Sequence, residues 1–213
     1  MSPERLHYVL TRQIIEIGYV RPVEVGEEDT LRRLAEMHGV ILEPDSLRVW
    51  SLHPFALLPT SFWVSSGERG WWANCAWCSL GIAAAVGEDV AISTFDGGEG
   101  EPLRFEVRGG AASREDLVMH FPYPPSRWWD NPYCPCGNIL FFSPADRVQG
   151  WCERHGRPLG ALLDMRTAVA LGRLWFGDYA SPEWKRKTPA QAEAIFRELG
   201  LDREFWNLGG GFR

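Results

Sequence analysis

The sequence has no long apolar run and no cluster of basic residues, and both absences exclude classes of protein. No stretch approaches the roughly 20 uncharged apolar residues of a membrane-spanning helix, and the N-terminal "MSPERLHYVLTRQ" carries charges where a signal peptide has its apolar core. We therefore expect a cytoplasmic protein without a membrane partner. The formal net charge is −6, which disfavours nucleic acid as the main partner, because phosphate contacts dominate that affinity.

Glycine-rich phosphate loops and internal repeats are also missing, so the sequence gives no support to nucleotide-dependent chemistry. Cysteine is scarce, with 5 thiols in 213 residues, and an odd number argues against complete disulfide pairing. A chain of this length builds a core without disulfides, and the cytoplasm keeps thiols reduced. The cysteines are therefore available as ligands or nucleophiles.

What the chain has in excess is tryptophan, with 11 residues, of which Trp71–Trp72 and Trp128–Trp129 are adjacent pairs. Clustered indoles supply large apolar walls, either for a core or for an apolar ligand groove. Because both pairs lie close to cysteines, the sequence predicts that they wall such a groove, with plain core packing as the alternative.

Apolar periodicity predicts an amphipathic helix over residues 4–18 and a second helix within "VGEEDTLRRLAEMHGV", ending before Gly39. Together with the extended "SLRVWSL", these helices predict a small winged-helix-like unit over residues 1–58. Residues 59–213 form the second predicted domain, an α+β unit that carries the cysteines.

Period-2 alternation in "EDVAISTF", "PLRFEVRG" and "DLVMHFPYP" predicts an antiparallel meander, and "NILFF" predicts a buried strand. Ser143–Pro144 has the chemistry of an N-cap followed by a first helical residue, which predicts a helix from there to Gly156. Further helices are predicted over "GALLDMRTAVALGRLW" and from Thr188–Pro189 onward. This order predicts an α+β fold in which a mixed or antiparallel sheet is flanked by helices.

Four cysteines form two close pairs. Cys75 and Cys78 lie in "WWANCAWCSLGIAAAVG", where a helix is predicted over residues 73–86, and positions i and i+3 share one helix face. Cys134 and Cys136 lie in "YCPCGN", where an extended chain points both side chains the same way. Cys152, in the middle of a predicted helix, is typical of a small buried apolar residue.

This pattern allows three interpretations from the residues alone. C-x2-C with C-x-C fits a structural zinc site, although the first pair lies in an apolar helix and not on a turn. A C-x-x-C at a helix start fits a redox pair, although the parallel-sheet pattern around such a pair is absent. The third interpretation is a set of core cysteines without a ligand.

The segments "WWANCAWCSLGIAAAVGEDVAIST", "PLRFEV" and "YCPCGNILFFSPADRVQGW" resemble the bacterial organomercurial (alkylmercury) lyases over roughly residues 60–176. In that family one cysteine begins a helix, and a second immediately precedes an apolar strand that ends in Phe-Phe. The resemblance implies an enzyme that breaks carbon–mercury bonds by protonolysis, giving a hydrocarbon and Hg(II) without an organic cofactor. It also implies a small organometallic substrate and cellular thiols as partners.

Carried over by motif, the two family cysteines fall on Cys75 and Cys136, and the family's carboxylic acid falls on Cys78. The expected Asp is therefore a thiol, which is a weaker acid but a strong soft-metal ligand. The resemblance implies Cys75, Cys136 and Cys78 as catalytic residues and metal ligands, and the cysteine pattern adds Cys134 as a further predicted metal ligand. Asp130 in "WWDNPYC" is an alternative proton source.

Two other functions remain open at this stage. The chain can bind a soft metal such as Hg, Cu or Zn on its thiolates without cleaving a carbon–metal bond. Alternatively, it can be a structural-zinc protein with a regulatory role.

Overall fold

The protein is described by a computed structural model over residues 1–128, 133–201 and 204–209, without the side chains of residues 133 and 134. The fold is α+β, as the sequence predicts. The helices are α1 (Pro3–Ile17), α2 (Glu28–Glu36), α3 (Ala76–Val86), α4 (Tyr133–Cys136), α5 (Arg147–His155), α6 (Met165–Phe176) and α7 (Pro189–Glu198). The strands are β1 (Ile41–Leu42), β2 (Val49–Leu52), β3 (Phe55–Ala56), β4 (Trp63–Ser66), β5 (Arg69–Ala73), β6 (Val90–Phe95), β7 (Pro102–Arg108), β8 (Ala111–Ala112), β9 (Val118–Phe121), β10 (Leu140–Phe142) and β11 (Ala161–Asp164).

The strands form two sheets, with the orders β1-β2-β3-β5-β4-β6-β7-β8 and β10-β9-β11. Each described pairing is antiparallel. The predicted meander is correct for β6 and β7 but wrong for β9, which lies between β10 and β11 in the smaller sheet. Alternation along the chain marked β9 as a strand, but it carries no information on which neighbour the strand pairs with.

Helix α3 lies at the centre of the fold and is almost completely buried, ending at Gly87 in the left-handed conformation. It packs on α6, and a Cβ at Gly81 would lie 2.4 Å from the Phe176 ring. Glycine at this position therefore permits the close approach of the two helices. Within the described residues, no helix combines the length and apolar character that crossing a membrane demands.

The N-terminal helices are tied to the larger sheet. The indole nitrogen of Trp71 donates a hydrogen bond to the Ile14 carbonyl at 2.9 Å, which joins α1 to β5. Strand β3 pairs with β5 through Phe55 and Ala73, so the sheet continues across residue 58. The division into units 1–58 and 59–213 stays a prediction.

Two predicted helix starts are wrong. Helix α5 begins at Arg147 and not at Ser143–Pro144, because the Ser143 hydroxyl donates to the Asp116 carboxylate at 3.0 Å and the Ser143 backbone N–H donates to the Asp96 carboxylate at 3.1 Å. Residues Ala161–Asp164 were predicted as helix but form β11, which pairs with β9. Helix α6 starts after that strand, with the Asp164 side chain as its N-cap.

Candidate active site: three thiols beside an aromatic cavity

Cys75 is the N-cap of α3. The sequence predicts a helix over residues 73–86, with Cys75 inside it, so the predicted helix start is wrong. The Cys75 backbone is extended, and its sulfur accepts a hydrogen bond from the Cys78 backbone N–H at 3.4 Å. The next backbone N–H, of Ala76, donates to the Ile139 carbonyl at 3.0 Å, which fixes the helix start against the segment before β10. A sulfur in this place faces the positive end of the helix dipole.

Cys136 ends the short helix α4, so the extended geometry predicted for Cys134 and Cys136 is wrong. The Pro135 carbonyl accepts hydrogen bonds from the Asn138 and Ile139 N–H groups at 2.9 and 3.1 Å. This turn directs the chain from Cys136 into β10. The Cys134 side chain lies outside the described residues, and its role as a ligand stays a prediction.

His53 is the member of the site that sequence reasoning missed. It lies between β2 and β3, and its Nε2 is 3.6 Å from the Cys136 sulfur. The ligand atoms of His53, Cys78 and Cys136 all lie within 4.8 Å of one another. A lone histidine in "SLHPF" carries no motif, and only the tertiary fold brings it to the cysteines.

The three thiols differ in acidity. Burial alone would raise the pKa of Cys75, but hydrogen bonds from the Cys136 and Cys78 thiols and from the Cys78 N–H hold it well below its usual range. Burial, together with hydrogen bonds to the other two sulfurs, raises the pKa of Cys78. The hydrogen bond to Cys75 also raises the pKa of Cys136. Cys75 is therefore the thiol of the centre that ionises most readily, because the other two cysteines donate hydrogen bonds to its sulfur.

The charge on His53 follows from the same surroundings. Burial lowers its pKa, the negative charge of Cys75 opposes this effect, and His38 lowers the pKa further. A neutral imidazole can accept a proton from Cys136 or coordinate a metal ion.

Beside the thiols lies a cavity of about 70 Å³ that Cys78 and Cys136 help to line. Trp77 forms its wall together with other aromatic rings, whose centroids lie 5.1 Å (Trp128), 5.2 Å (Trp175) and 5.1 Å (Phe176) from that of Trp77. Cys75 is fully buried, and its sulfur is hydrogen-bonded to the backbone of Cys78, which lines the cavity. The cavity suits a small apolar group next to sulfur ligands.

The predicted tryptophan walls are only partly correct. Trp128 lines the cavity, whereas Trp71 bonds to α1 and Trp72 packs on Trp63 with ring centroids 4.6 Å apart. Trp129 and Asp130 lie outside the described residues. Trp71 and Trp72 are adjacent in β5, where successive side chains point to opposite faces. Their adjacency in the sequence therefore does not place both indoles in one wall.

Cys152 lies apart from this centre and is buried, as predicted. Its sulfur is 3.5 Å from the Pro158 carbonyl and 3.8 Å from Nε2 of His120. The same His120 nitrogen lies 2.8 Å from the Leu159 carbonyl oxygen. These contacts fix the turn that follows α5.

Comparison with known proteins adds two findings. The family model described as "MerB: Alkylmercury lyase" matches residues 55–177. This range contains all three cysteines of the centre and begins two residues after His53. A solved structure, "Crystal structure of the mercury-bound form of MerB2", has a TM-score of 0.63 and 19% sequence identity, covering 82% of this chain and 91% of that chain. This likeness shows the fold. No curated protein matches the chain.

Proposed function

The chain belongs to the alkylmercury lyase family, and from this premise we propose that it cleaves carbon–mercury bonds by protonolysis, using Cys75, Cys78 and Cys136. The product is a hydrocarbon, and Hg(II) stays on the thiolates. The observation that carries the proposal is the meeting of three cysteines, two of which, Cys78 and Cys136, line an aromatic cavity. No organic cofactor is required.

The first step is capture of the organomercurial. Thiolate is the soft ligand that proteins offer to mercury, and Cys75 is the thiol whose pKa is held low by its hydrogen bonds despite burial. It displaces the ligand that brought R–Hg⁺ into the cavity, and that ligand leaves as a free thiolate. The organic group R then packs between Trp77 and its aromatic neighbours, which exclude water.

The second step is binding of Cys136. Its thiol proton passes to the neutral His53 imidazole, whose Nε2 lies 3.6 Å from the sulfur. The new thiolate bonds to mercury as its second sulfur ligand. Two thiolates push electron density onto the metal-bound carbon and prepare it for protonation.

The third step is proton transfer to carbon. Cys78 remains a thiol because burial and its neighbours raise its pKa, so it holds a proton next to the mercury. The S–H proton moves to carbon, the electron pair of the C–Hg bond forms the new C–H bond, and the Cys78 thiolate becomes a third mercury ligand. One proton thus ends on the hydrocarbon and one on His53. General acid catalysis of this kind contributes roughly 10²–10⁴-fold.

A second candidate function rests on the same cluster. His53, Cys78 and Cys136 already form a set of ligand atoms within 4.8 Å of one another, which is a donor set that Zn²⁺, Cu⁺ and Hg²⁺ accept. A protein that only binds such an ion would use these residues without a proton transfer. Under either function we propose cellular thiols as the partners that deliver and remove the metal.

Hydrocarbon release separates the two functions. Purified protein is incubated with phenylmercury and excess thiol, and benzene is measured by gas chromatography. We expect release with turnover, and no release above the thiol-only rate from the Cys75→Ser variant. Stoichiometric binding of Hg(II) without benzene release would support the binding-only function instead. Zinc near one equivalent in protein purified without added metal, with unfolding on its removal, would support a structural-zinc role.

A further inference from the structure

The aromatic cavity extends beyond the thiols to a second, polar end. From Trp77 the wall continues through Phe176 to Tyr179, whose ring centroids are 4.9 Å apart. Tyr179 in turn contacts His7 and Trp184, at 5.4 and 5.5 Å between centroids. His7 and Trp184 are stacked on each other at 3.5 Å, and both line the cavity.

Three ring nitrogens at this end have no hydrogen-bond partner within the ranges 1–128, 133–201 and 204–209. The His7 ring is fully buried, and neither of its nitrogens has a hydrogen-bond partner there. The same holds for the indole nitrogen of Trp184. Buried N–H groups are almost always satisfied in folded proteins, so two unsatisfied ring systems in one cavity wall indicate an acceptor that comes from a ligand.

The charge at this end is positive. Arg186 and Lys187 both line the cavity, and Lys187 is paired with Asp178 at 2.9 Å. Arg186 is half-buried, and this burial lowers the pKa of its guanidinium. Among the residues that the structure describes, no carboxylate lines the cavity.

We propose that His7, Trp184 and Arg186 form a subsite for a carboxylate, and that the substrates of this chain include arylmercurials with mercury and a carboxylate at opposite ends of the ring. The inference rests on the proposed function for the mercury end of the substrate. The two ends of the cavity then match the two ends of such a molecule. Thiolates face R–Hg⁺, and a guanidinium with two N–H donors faces the carboxylate.

The kinetic test compares two substrates that differ only in the carboxylate, 4-(hydroxymercuri)benzoate and phenylmercury. We expect the wild-type protein to favour the carboxylate substrate in kcat/KM by about tenfold or more, the size of effect that a charge-assisted hydrogen bond gives. Arg186→Met should bring the ratio close to one. Trp184→Phe, which retains the ring that stacks on His7, should lower it in part. Lys185→Met is the matched control, since Lys185 is exposed and does not line the cavity, and it should leave the ratio unchanged.

A binding test keeps the inference independent of catalysis. Benzoate is titrated into the mercury-free protein by calorimetry, with nitrobenzene as its neutral isostere. We expect benzoate to bind about tenfold tighter than nitrobenzene and to lose that advantage in Arg186→Met. If benzoate binds in this way but neither mercurial is cleaved, the carboxylate subsite stands and the lyase proposal fails. If both mercurials are cleaved equally and benzoate shows no preference, the subsite is wrong and the lyase proposal stands.

Discussion

The Cys75 sulfur accepts a hydrogen bond from the Cys78 backbone N–H at 3.4 Å, so one thiol of the centre caps the helix that carries the next. Helix geometry therefore sets the distance between the two sulfurs, and it also stabilises negative charge on the first. A change at either position acts on local structure as well as on chemistry, and substitutions must be chosen with this in mind.

Cys75→Ser tests the thiolate while preserving the cap. Serine is among the preferred N-cap residues, so we expect the melting temperature to change little. Its hydroxyl does not ionise at neutral pH and is a hard ligand, so hydrocarbon release should fall on the order of 10³-fold or more, as when a nucleophile is removed. Cys152→Ala is the control, because its sulfur lies outside the centre, and it should retain activity. More than a tenth of the wild-type rate in Cys75→Ser would contradict the assignment.

Cys78→Asp tests whether the thiol acts in place of a carboxylic acid. Burial and its sulfur neighbours raise the pKa of Cys78, which makes it a weak proton donor. A carboxyl group in the first turn of α3 is compatible with the helix dipole, and it should increase the rate of hydrocarbon release by roughly 10²-fold. Cys78→Ala should lower the rate. An active wild-type protein whose rate is the same in all three forms would place the acid elsewhere.

His53→Gln separates a proton acceptor from a metal ligand. Gln retains a polar group near Cys136 but cannot take its proton, so single-turnover benzene release should slow by about 10²-fold. Hg(II) binding should keep its stoichiometry and its sulfur-to-metal absorption band. A loss of Hg(II) affinity with no change in the rate of release would identify His53 as a ligand instead.

His7→Phe should make the protein less sensitive to acid. Burial lowers the pKa of His7 from 6.5 to about 3, so between these values the unfolded chain binds a proton that the folded protein does not. Stability from this group is complete above pH 6.5 and is lost as the pH falls toward 3, by about 1.4 kcal/mol per pH unit. When the free energy of unfolding is measured by urea titration at several pH values, its slope against pH between 3 and 6.5 should be smaller in the variant by that amount. Equal slopes would mean that His7 titrates normally.

Gly81→Ala tests the contact between α3 and α6. The added methyl would lie 2.4 Å from the Phe176 ring, so the free energy of unfolding should fall by about 1–3 kcal/mol. Because Phe176 lines the cavity, the KM for arylmercurials should rise as well. Gly150→Ala in α5 is the matched control. Its nearest neighbour would be the Arg154 side chain at 3.6 Å, and stability should increase by about 0.5–1 kcal/mol.

Local chemistry made part of the fold predictable. Helix α7 has Thr188 as its N-cap in a complete capping box, and α3 has Gly87 as its C-cap in the left-handed conformation. Both signals involve only residues within a few positions of each other. Ser143–Pro144 shares with Thr188–Pro189 the hydroxyl residue followed by proline, but no helix begins there, because the Asp96 and Asp116 carboxylates accept hydrogen bonds from the Ser143 N–H and hydroxyl. Tertiary partners thus override a local preference wherever they compete for the same groups.

The site was predictable to a similar extent. The family resemblance implied a pairing of Cys75 with Cys136, and the structure brings these two sulfurs together with Cys78. Their roles in catalysis stay predictions that the variants above will test. His53 could not be found from the sequence, since it reaches the thiols only through the pairing of β3 with β5. The chain has five histidines, and no local sequence feature distinguishes His53 as the one that lies beside the cysteines.

The positions of Cys75 and Cys136 in the chain have one more consequence. An ion held by both sulfurs is a cross-link, and it closes a loop of about 60 residues that contains β6, β7 and β8 at one end of the larger sheet and β9 of the smaller sheet. An ion that stays on both sulfurs in the unfolded chain removes chain entropy worth about 4 kcal/mol, whereas an ion that leaves on unfolding stabilises the folded state through mass action instead. The mercury-loaded protein should therefore be the most heat-resistant form in the reaction cycle. Each release of metal removes the cross-link and returns the protein to its lower thermal stability.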